Sequence, residues 1–162
     1  MNMKHYLIDF FKYNDWANHQ LFESVRQIPD PSEPLYLISH IISAQDRWLN
    51  RITHELDEKP PEWYRLVVAL DEIEPRWTES LDRWLKLLEK TPANELDKEI
   101  IFEWHSDNKK ISVRLIDMAL QVNYHSIHHR AQIYRIIRQQ GHVPPTTDYI
   151  KTVMREVEPV SK

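Results

Sequence analysis

Three histidines stand within five positions toward the C-terminal end of the chain, at His125, His128 and His129. Imidazole is the commonest metal ligand among protein side chains, and it titrates near neutral pH. Residues four apart on a helix lie one above the other on the same face. The spacing of His125 and His129 therefore predicts that one helix offers two nitrogen ligands to a single metal ion.

A helical wheel at about 100° per residue separates the three histidines. The apolar residues between positions 115 and 137 cover one broad arc, and His129 falls just inside its edge. His125 lies about 40° further out on the same side, whereas His128 points nearly opposite the centre of the arc. The wheel predicts that His125 and His129 face inward. Gln132 lies on the His125 side, either as a hydrogen-bond partner of a ligand or as a plain surface residue.

Two histidines alone make an incomplete site, because zinc sites with catalytic potential usually have three protein ligands and one open position. The best third candidate is His40, at the edge of an apolar stripe on the second predicted helix, and His19 on the first helix competes with it. The alternative is that these histidines are solvated or hydrogen-bonded surface residues, since a spacing of four also arises by chance among nine histidines.

The elements that must position these side chains are predicted to be helices. Gly141 is the one glycine among 162 residues, whereas β folds and phosphate-binding loops need several glycines. Proline clusters divide the chain into segments with helical periodicity. These segments cover residues 4–27, 33–54, 67–90 and 112–140. Ser32 is the expected N-cap of the second helix, and Pro75 must kink the third helix or mark its first turn.

A β-rich stretch at residues 99–104 and a turn signal at 106–108 predict a small hairpin that ends near Val113. Gly141 is expected to close the fourth helix in the left-handed conformation. Thr146 or Thr147 is then expected to cap a short last helix that ends near Val157. The predicted fold is all-α: a four-helix bundle with a small hairpin or irregular segment before the last long helix and a short C-terminal helix, in a single domain over residues 1–162.

Two further expectations concern single side chains. Arg130 projects toward the apolar arc of the fourth helix and is expected to find an acidic partner, for which Asp148 is the candidate. Trp16 and Trp104 are expected to line the mouth of a pocket.

The composition indicates which binding partners and which cellular compartment to expect. The net charge is −4, and acidic and basic residues are interspersed along the chain. No basic block of the kind that nucleic acid binding usually requires is present. The apolar runs are far too short to span a bilayer, and we see no signal peptide. The absence of cysteine removes disulfides, thiolate ligands and a cysteine nucleophile. We expect a cytoplasmic protein with no membrane or nucleic acid partner.

Three blocks of residues make the sequence resemble the DinB/YfiT-like family, a superfamily of metal-dependent four-helix bundles that includes bacterial damage-inducible proteins. The blocks are residues 13–18, residues 39–48 and residues 123–132, the last with a His-His-Arg-small-Gln ending. The stretch 141–148 also fits, so the resemblance spans nearly the whole chain in the expected order.

The resemblance implies that one histidine of the second helix and an i, i+4 pair on the fourth long helix hold the metal. Carried over position by position, these are His40, His125 and His129. Ala131 stands where the family often has glycine, and because alanine is also small, close helix packing should survive. The implied cofactor is a divalent metal ion, zinc or nickel, and the implied assembly is a homodimer.

The resemblance also implies an enzyme that transfers a low-molecular-weight thiol, such as bacillithiol or mycothiol, to small electrophiles. One alternative is a metal-dependent hydrolase, although the glutamate of a His-Glu-x-x-His helix is missing beside His125. The other alternative is a non-catalytic metal-binding or stress-response module.

Overall fold

The computed structural model describes residues 3–54, 66–104, 109–155 and 157. Within these ranges the chain forms α1 (Met3–Val25), α2 (Ser32–Thr53), α3 (Ile73–Lys90), a 3₁₀ turn (Ala93–Glu95), β1 (Glu99–Trp104), β2 (Lys109–Arg114), α4 (Leu115–Gln139) and α5 (Ile150–Val153). In the bundle, α1 and α2 each pack against both α3 and α4. The mostly helical architecture agrees with the predicted bundle, and the segment before α4 is a regular two-stranded antiparallel hairpin.

Two buried tryptophans anchor α3 in the bundle. Trp77 and Trp84 are among the largest fully buried side chains of the described residues. The Trp84 indole N–H donates to the carbonyl oxygen of Gln45 on α2 at 2.9 Å, and the Trp77 indole N–H donates to the Asp15 carboxylate on α1 at 2.8 Å. Both rings thus bury a large apolar area while their single polar group stays hydrogen-bonded.

The start of α2 differs from the predicted cap. Ser32 is the first helical residue, and the N-cap before it is Pro31, which makes no side-chain capping hydrogen bond. The Asp30 carboxylate instead accepts the backbone N–H of Ser32 at 3.0 Å. The hydrogen bonds from Ser32 lower the pKa of Asp30, because they stabilise the charged carboxylate. The prediction of Ser32 as N-cap was therefore wrong by one position, since Pro31 is the N-cap and the Asp30 carboxylate accepts the N–H of the first helical residue.

Pro75 explains why α3 starts later than predicted. The helix begins at Ile73, which places Pro75 in the first turn. The N–H groups of a first turn have no partner within the helix, so a residue without an N–H costs nothing there. The first hydrogen bond after the proline runs from the Arg76 N–H to the Glu72 carbonyl oxygen at 3.1 Å. Of the two roles considered for Pro75, the structure shows the first-turn role.

Residues 112–114, which were predicted to be helical, belong to the hairpin. β2 continues to Arg114, which pairs with Glu99, so that α4 begins at Leu115. Ile100 and Phe102 alternate with exposed neighbours on β1 and pack into the core. Strand pairing over this hydrophobic face outweighs the local helical pattern of residues 112–114. The predicted turn at 106–108 lies outside the described residues.

Gly141 ends α4 as predicted. Its φ angle is +81°, in the left-handed region. The Gly141 N–H donates to the Arg138 carbonyl oxygen at 3.0 Å, and the His142 N–H donates to the Ile137 carbonyl oxygen at 3.1 Å. This pair of bonds is a Schellman motif, which satisfies two of the last carbonyl groups of the helix.

The C-terminal helix is shorter than predicted. α5 covers only Ile150–Val153, and Tyr149 rather than a threonine precedes its first residue. Thr147 is buried, and its carbonyl oxygen accepts a hydrogen bond from the Tyr13 hydroxyl at 2.9 Å. This hydrogen bond connects the segment before α5 to α1. Within the described ranges, none of the helices has the length and the apolar character needed to cross a bilayer.

Candidate metal centre

The packing of α2 against α4 brings His40, His125 and His129 together. His125 Nε2 lies 3.1 Å from His40 Nε2 and 3.1 Å from His129 Nε2. One ring nitrogen from each histidine lies within 4.8 Å of the other two. Nitrogen ligands on one tetrahedral zinc ion, each 2.0–2.1 Å from the metal, are about 3.3 Å apart. Two of the three separations are therefore already close to those that one ion requires.

Gln132 sets the tautomer of His129. Its side-chain oxygen lies 2.7 Å from His129 Nδ1, and its side-chain nitrogen lies 3.1 Å from His128 Nε2. An amide oxygen only accepts hydrogen bonds, so His129 Nδ1 carries the proton and Nε2 keeps its lone pair. Of the two roles considered for Gln132, the structure therefore favours that of a hydrogen-bond partner to a candidate ligand.

The environment disfavours the protonated forms of His40 and His125. Burial, followed by repulsion from the charges that His129, His40 and His128 would carry, lowers the pKa of His125 to about 4. Burial, followed by the repulsion of His129, also lowers the pKa of His40. A neutral imidazole has the lone pair that metal coordination uses. His40 and His125 therefore present lone pairs to a metal ion near neutral pH.

The other two histidines considered at the sequence level lie outside the cluster. His128 is exposed, as the wheel predicted, and its Nε2 accepts the hydrogen bond from Gln132. His19 lies between the carboxylates of Asp15 and Glu74, with each nitrogen 3.3 Å from one oxygen. It connects α1 to α3, so the structure brings His40, and not His19, to the pair on α4.

Comparison with known proteins identifies the family. The sequence profile of the DinB family matches residues 1–158 of the 162-residue chain. The chain belongs to the DinB family. Neither the curated proteins nor the solved structures that were compared with it gave a match. The family membership and the three-histidine cluster are both compatible with a metal-binding DinB protein.

The donor set of this DinB protein fits a borderline divalent ion. Three imidazoles converge, and among the described residues no carboxylate joins the cluster. Imidazole nitrogen suits zinc and nickel, whereas magnesium and calcium prefer oxygen ligands. The residues present would thus hold zinc or nickel through nitrogen alone, with the charge of the ion undiminished by anionic ligands.

A cavity of about 240 Å³ opens beside His40 and His125. Among the described residues, the others that line it are Ser43, Ala44, Arg47, Trp48, Arg51, Trp104 and Gln121. Trp104 thus lies in a pocket wall as predicted, whereas Trp16 packs beside Tyr13, with ring centroids 6.3 Å apart, and does not line this cavity. The sequence reasoning missed Arg47 and Arg51. Their signal was a spacing of seven and eleven residues from His40, which returns to the same helix face.

Arg130 of the DinB protein is buried without the acidic partner that the sequence suggested. Its guanidinium donates to the side-chain oxygens of Asn14 at 3.0 Å and Asn18 at 3.1 Å, and to the Tyr13 hydroxyl at 3.1 Å. The prediction of Asp148 was wrong, since that residue is exposed and the donors are satisfied by neutral groups of α1. Two asparagines four positions apart on one helix supply acceptors to a single guanidinium.

Proposed function

We propose that this DinB protein binds one divalent metal ion, zinc or nickel, through His40, His125 and His129. The observation that carries the proposal is the convergence of the three imidazoles from two helices, with two Nε2–Nε2 separations of 3.1 Å. The hydrogen bond between His129 and Gln132 supports it further, because it leaves Nε2 of His129 available to a metal.

We propose further that the metal serves catalysis. Structural zinc sites are closed by four protein ligands, whereas catalytic sites keep one position for water or substrate. The cluster among the described residues has three histidines, and the cavity borders two of them. These two observations favour an open site that small molecules can reach.

The reaction that we propose is transfer of a low-molecular-weight thiol to a small electrophile. A bound divalent ion would lower the pKa of a thiol and make its sulfur available as thiolate. The chain has no cysteine, so the sulfur must come from a co-substrate. The sulfur forms a bond to the electrophilic carbon, the leaving group departs with the electron pair of its bond, and the thiol proton passes to water. Trp48 and Trp104 would hold the electrophile and limit the access of water.

Metal-dependent hydrolysis has less support. A hydrolase would need a carboxylate base beside the attacking water, and no aspartate or glutamate occurs among the described residues that line the cavity. From the resemblance to the family we also propose a homodimer and a cytoplasmic location.

The metal proposal is tested by elemental analysis of purified protein. We expect about one zinc or nickel ion per chain in the wild type and almost none in His40→Ala or His125→Ala, because two imidazoles bind far more weakly than three. His5→Ala is the matched control, since His5 is an exposed histidine of α1 outside the cluster. Unchanged metal content in His40→Ala would show that the ligand set is wrong.

The transferase proposal is tested with metal-loaded protein. Each cellular thiol is offered with a panel of small electrophiles, and conjugates are identified by mass spectrometry. We expect conjugates above the uncatalysed rate with at least one thiol, and a return to that rate after chelation or in His125→Ala. Absence of turnover with every thiol and electrophile would contradict thiol transfer while leaving metal binding intact.

A further inference from the structure

A second cavity, of about 560 Å³, lies in the groove between α2 and α4. Its lining includes Glu33 and Leu37 of α2 and Ala131, Gln132, Arg135 and Ile136 of α4. The volume falls within the range of about 300–1,000 Å³ that small-molecule sites occupy. The proposed reaction joins two molecules, so it needs a place for a second substrate beside the 240 Å³ cavity.

The antiparallel course of α2 and α4 locates the second cavity relative to the histidines. His40 of α2 lies against His125 of α4, with their Nε2 atoms 3.1 Å apart. Further along the groove, the backbone N–H of Asp30 donates to the side-chain oxygen of Gln140 at 2.9 Å. The second cavity lies between these two contacts, whereas the 240 Å³ cavity lies on the other side of the histidines. A ligand can therefore approach the histidines from either end of the groove.

Two side chains of opposite charge stand at the rim of the second cavity. Glu33 and Arg135 are both exposed, and neither makes a hydrogen bond or an ion pair with the part of the chain that the structure describes. Leu37 and Ile136 contribute apolar surface to the same lining. A free α-amino acid group carries an ammonium and a carboxylate on one carbon atom, so it complements both rim charges at once. A ligand with a single charge would leave one of them unmatched.

The distance from the rim to the histidines sets the length of such a ligand. Glu33 stands seven positions before His40, and Arg135 stands six positions after His129. Each is therefore roughly 9–10 Å from its histidine along the helix axis. A thiol of two or three residues spans roughly 7–11 Å when extended, whereas cysteine alone is too short to reach both places.

We propose that the second cavity binds the α-amino acid end of a γ-glutamyl thiol of two or three residues. Its ammonium lies on Glu33, its carboxylate lies on Arg135, and its sulfur points toward the histidines. The proposal rests on the proposed function, because it names the class of thiol that serves as co-substrate. Glu33 and Arg135 determine which thiol binds, and they take no part in making or breaking bonds.

The probe is S-methylglutathione, which keeps the α-amino acid end but has a sulfur that cannot become a thiolate. Binding to zinc-loaded protein is measured by calorimetry, and the zinc content of each sample is checked. We expect Glu33→Gln and Arg135→Gln each to weaken binding about three- to fivefold, because exposed charge pairs contribute only modestly. The double variant should lose about tenfold or more, since effects at independent sites add.

Acetylation of the probe's amino group makes the test specific. The acetylated probe has no ammonium, so Glu33→Gln should cause no further loss of its binding, whereas Arg135→Gln should still weaken it. Arg138→Gln and Glu89→Gln are the charge controls. Both positions are exposed and lie outside the lining of the second cavity, so these variants should bind either probe as the wild type does.

Three results would overturn the proposal. They are no binding of S-methylglutathione to the wild type, unchanged binding in Glu33→Gln or in Arg135→Gln, and an equal effect of Glu33→Gln on the two probes. Each would show that the rim charges do not recognise an α-amino acid group.

Conjugation assays separate this proposal from the proposed function. Conjugates that form from glutathione with the same KM for the thiol in Glu33→Gln and Arg135→Gln would overturn the thiol site and leave thiol transfer standing. Binding of S-methylglutathione that depends on both residues, without turnover of any thiol, would contradict thiol transfer and leave the amino acid site standing.

Discussion

Gln132 is the residue that orients the candidate metal centre without contacting the metal position. Its side-chain oxygen accepts a hydrogen bond from His129 Nδ1 at 2.7 Å, and its side-chain nitrogen donates one to His128 Nε2 at 3.1 Å. Loss of such an outer hydrogen bond typically weakens metal affinity 10–100-fold. We therefore expect Gln132→Ala to weaken zinc affinity by about this factor, measured by competition with a chromophoric chelator.

Two variants make that experiment specific. Gln132→Glu should keep the affinity near that of the wild type, because a carboxylate also accepts the Nδ1 proton. Gln139→Ala should change nothing, since Gln139 is exposed near the end of α4 and away from the cluster. Wild-type affinity in Gln132→Ala would mean that His129 is oriented by its packing alone.

The candidate ligands were predictable to the extent that they depend on local periodicity. His125 and His129 share one helix, so the wheel alone distinguishes them from His128. His40 lies on another helix, where its place at the edge of an apolar stripe ranked it above His19, and the family resemblance pointed to the same residue. The partners of Arg130 were not predictable, because amide acceptors contributed by a separate helix leave no charge signal in the sequence.

At the scale of elements, a buried polar ladder sets how α1 faces α4. Asn14 donates to Asn123 at 2.6 Å, and Asn18 donates to Ser126 at 3.0 Å. Arg130 continues the ladder one turn further along α4. A shift of α4 by one turn would leave these buried groups without partners, which is costly. These hydrogen bonds therefore fix the position of α4 along its axis and the face that it turns toward α1. The same constraint sets the direction in which the histidines of α4 project toward α2.

The end of α4 depends on the backbone freedom of Gly141. A Cβ atom placed there would meet no heavy atom within 4 Å, so only the positive φ angle opposes a side chain. We expect Gly141→Ala to lower the free energy of unfolding by about 1 kcal/mol, since the left-handed conformation costs a residue with a Cβ roughly 1–2 kcal/mol. Urea denaturation measures the change. Gly141→Asn should lose less, because asparagine tolerates this conformation, and equal losses would contradict the explanation.

Element identities were predictable where periodicity is strong, and element ends were not. The apolar spacing gave the four long helices, but residues 112–114 follow β1 rather than α4 because their pairing partners, residues 99–101, lie elsewhere in the chain. Similarly, only the position of the helix start shows that Pro75 occupies a first turn. The ends of such elements depend on contacts between segments that are distant in the sequence, and local periodicity carries no information about these contacts.

At the scale of the molecule, the proposed metal ion would act as a cross-link between α2 and α4. A ligand that binds only the folded state stabilises it by about 4 kcal/mol at a free concentration 1,000 times its dissociation constant. We expect zinc to raise the unfolding midpoint of the wild type in urea and to leave His40→Ala almost unchanged. Equal increases in both proteins would show that zinc stabilises the bundle without His40.

The separation of His40 from His125 by 85 positions also has a consequence for biosynthesis. At about 5–20 residues per second, a ribosome adds the second histidine roughly 4–17 s after the first. A nascent or truncated chain without α4 contains one isolated histidine of the set and has no site to fill. Metal acquisition would therefore follow the synthesis of α4, and the bound ion would mark only those molecules in which α4 has packed against α2.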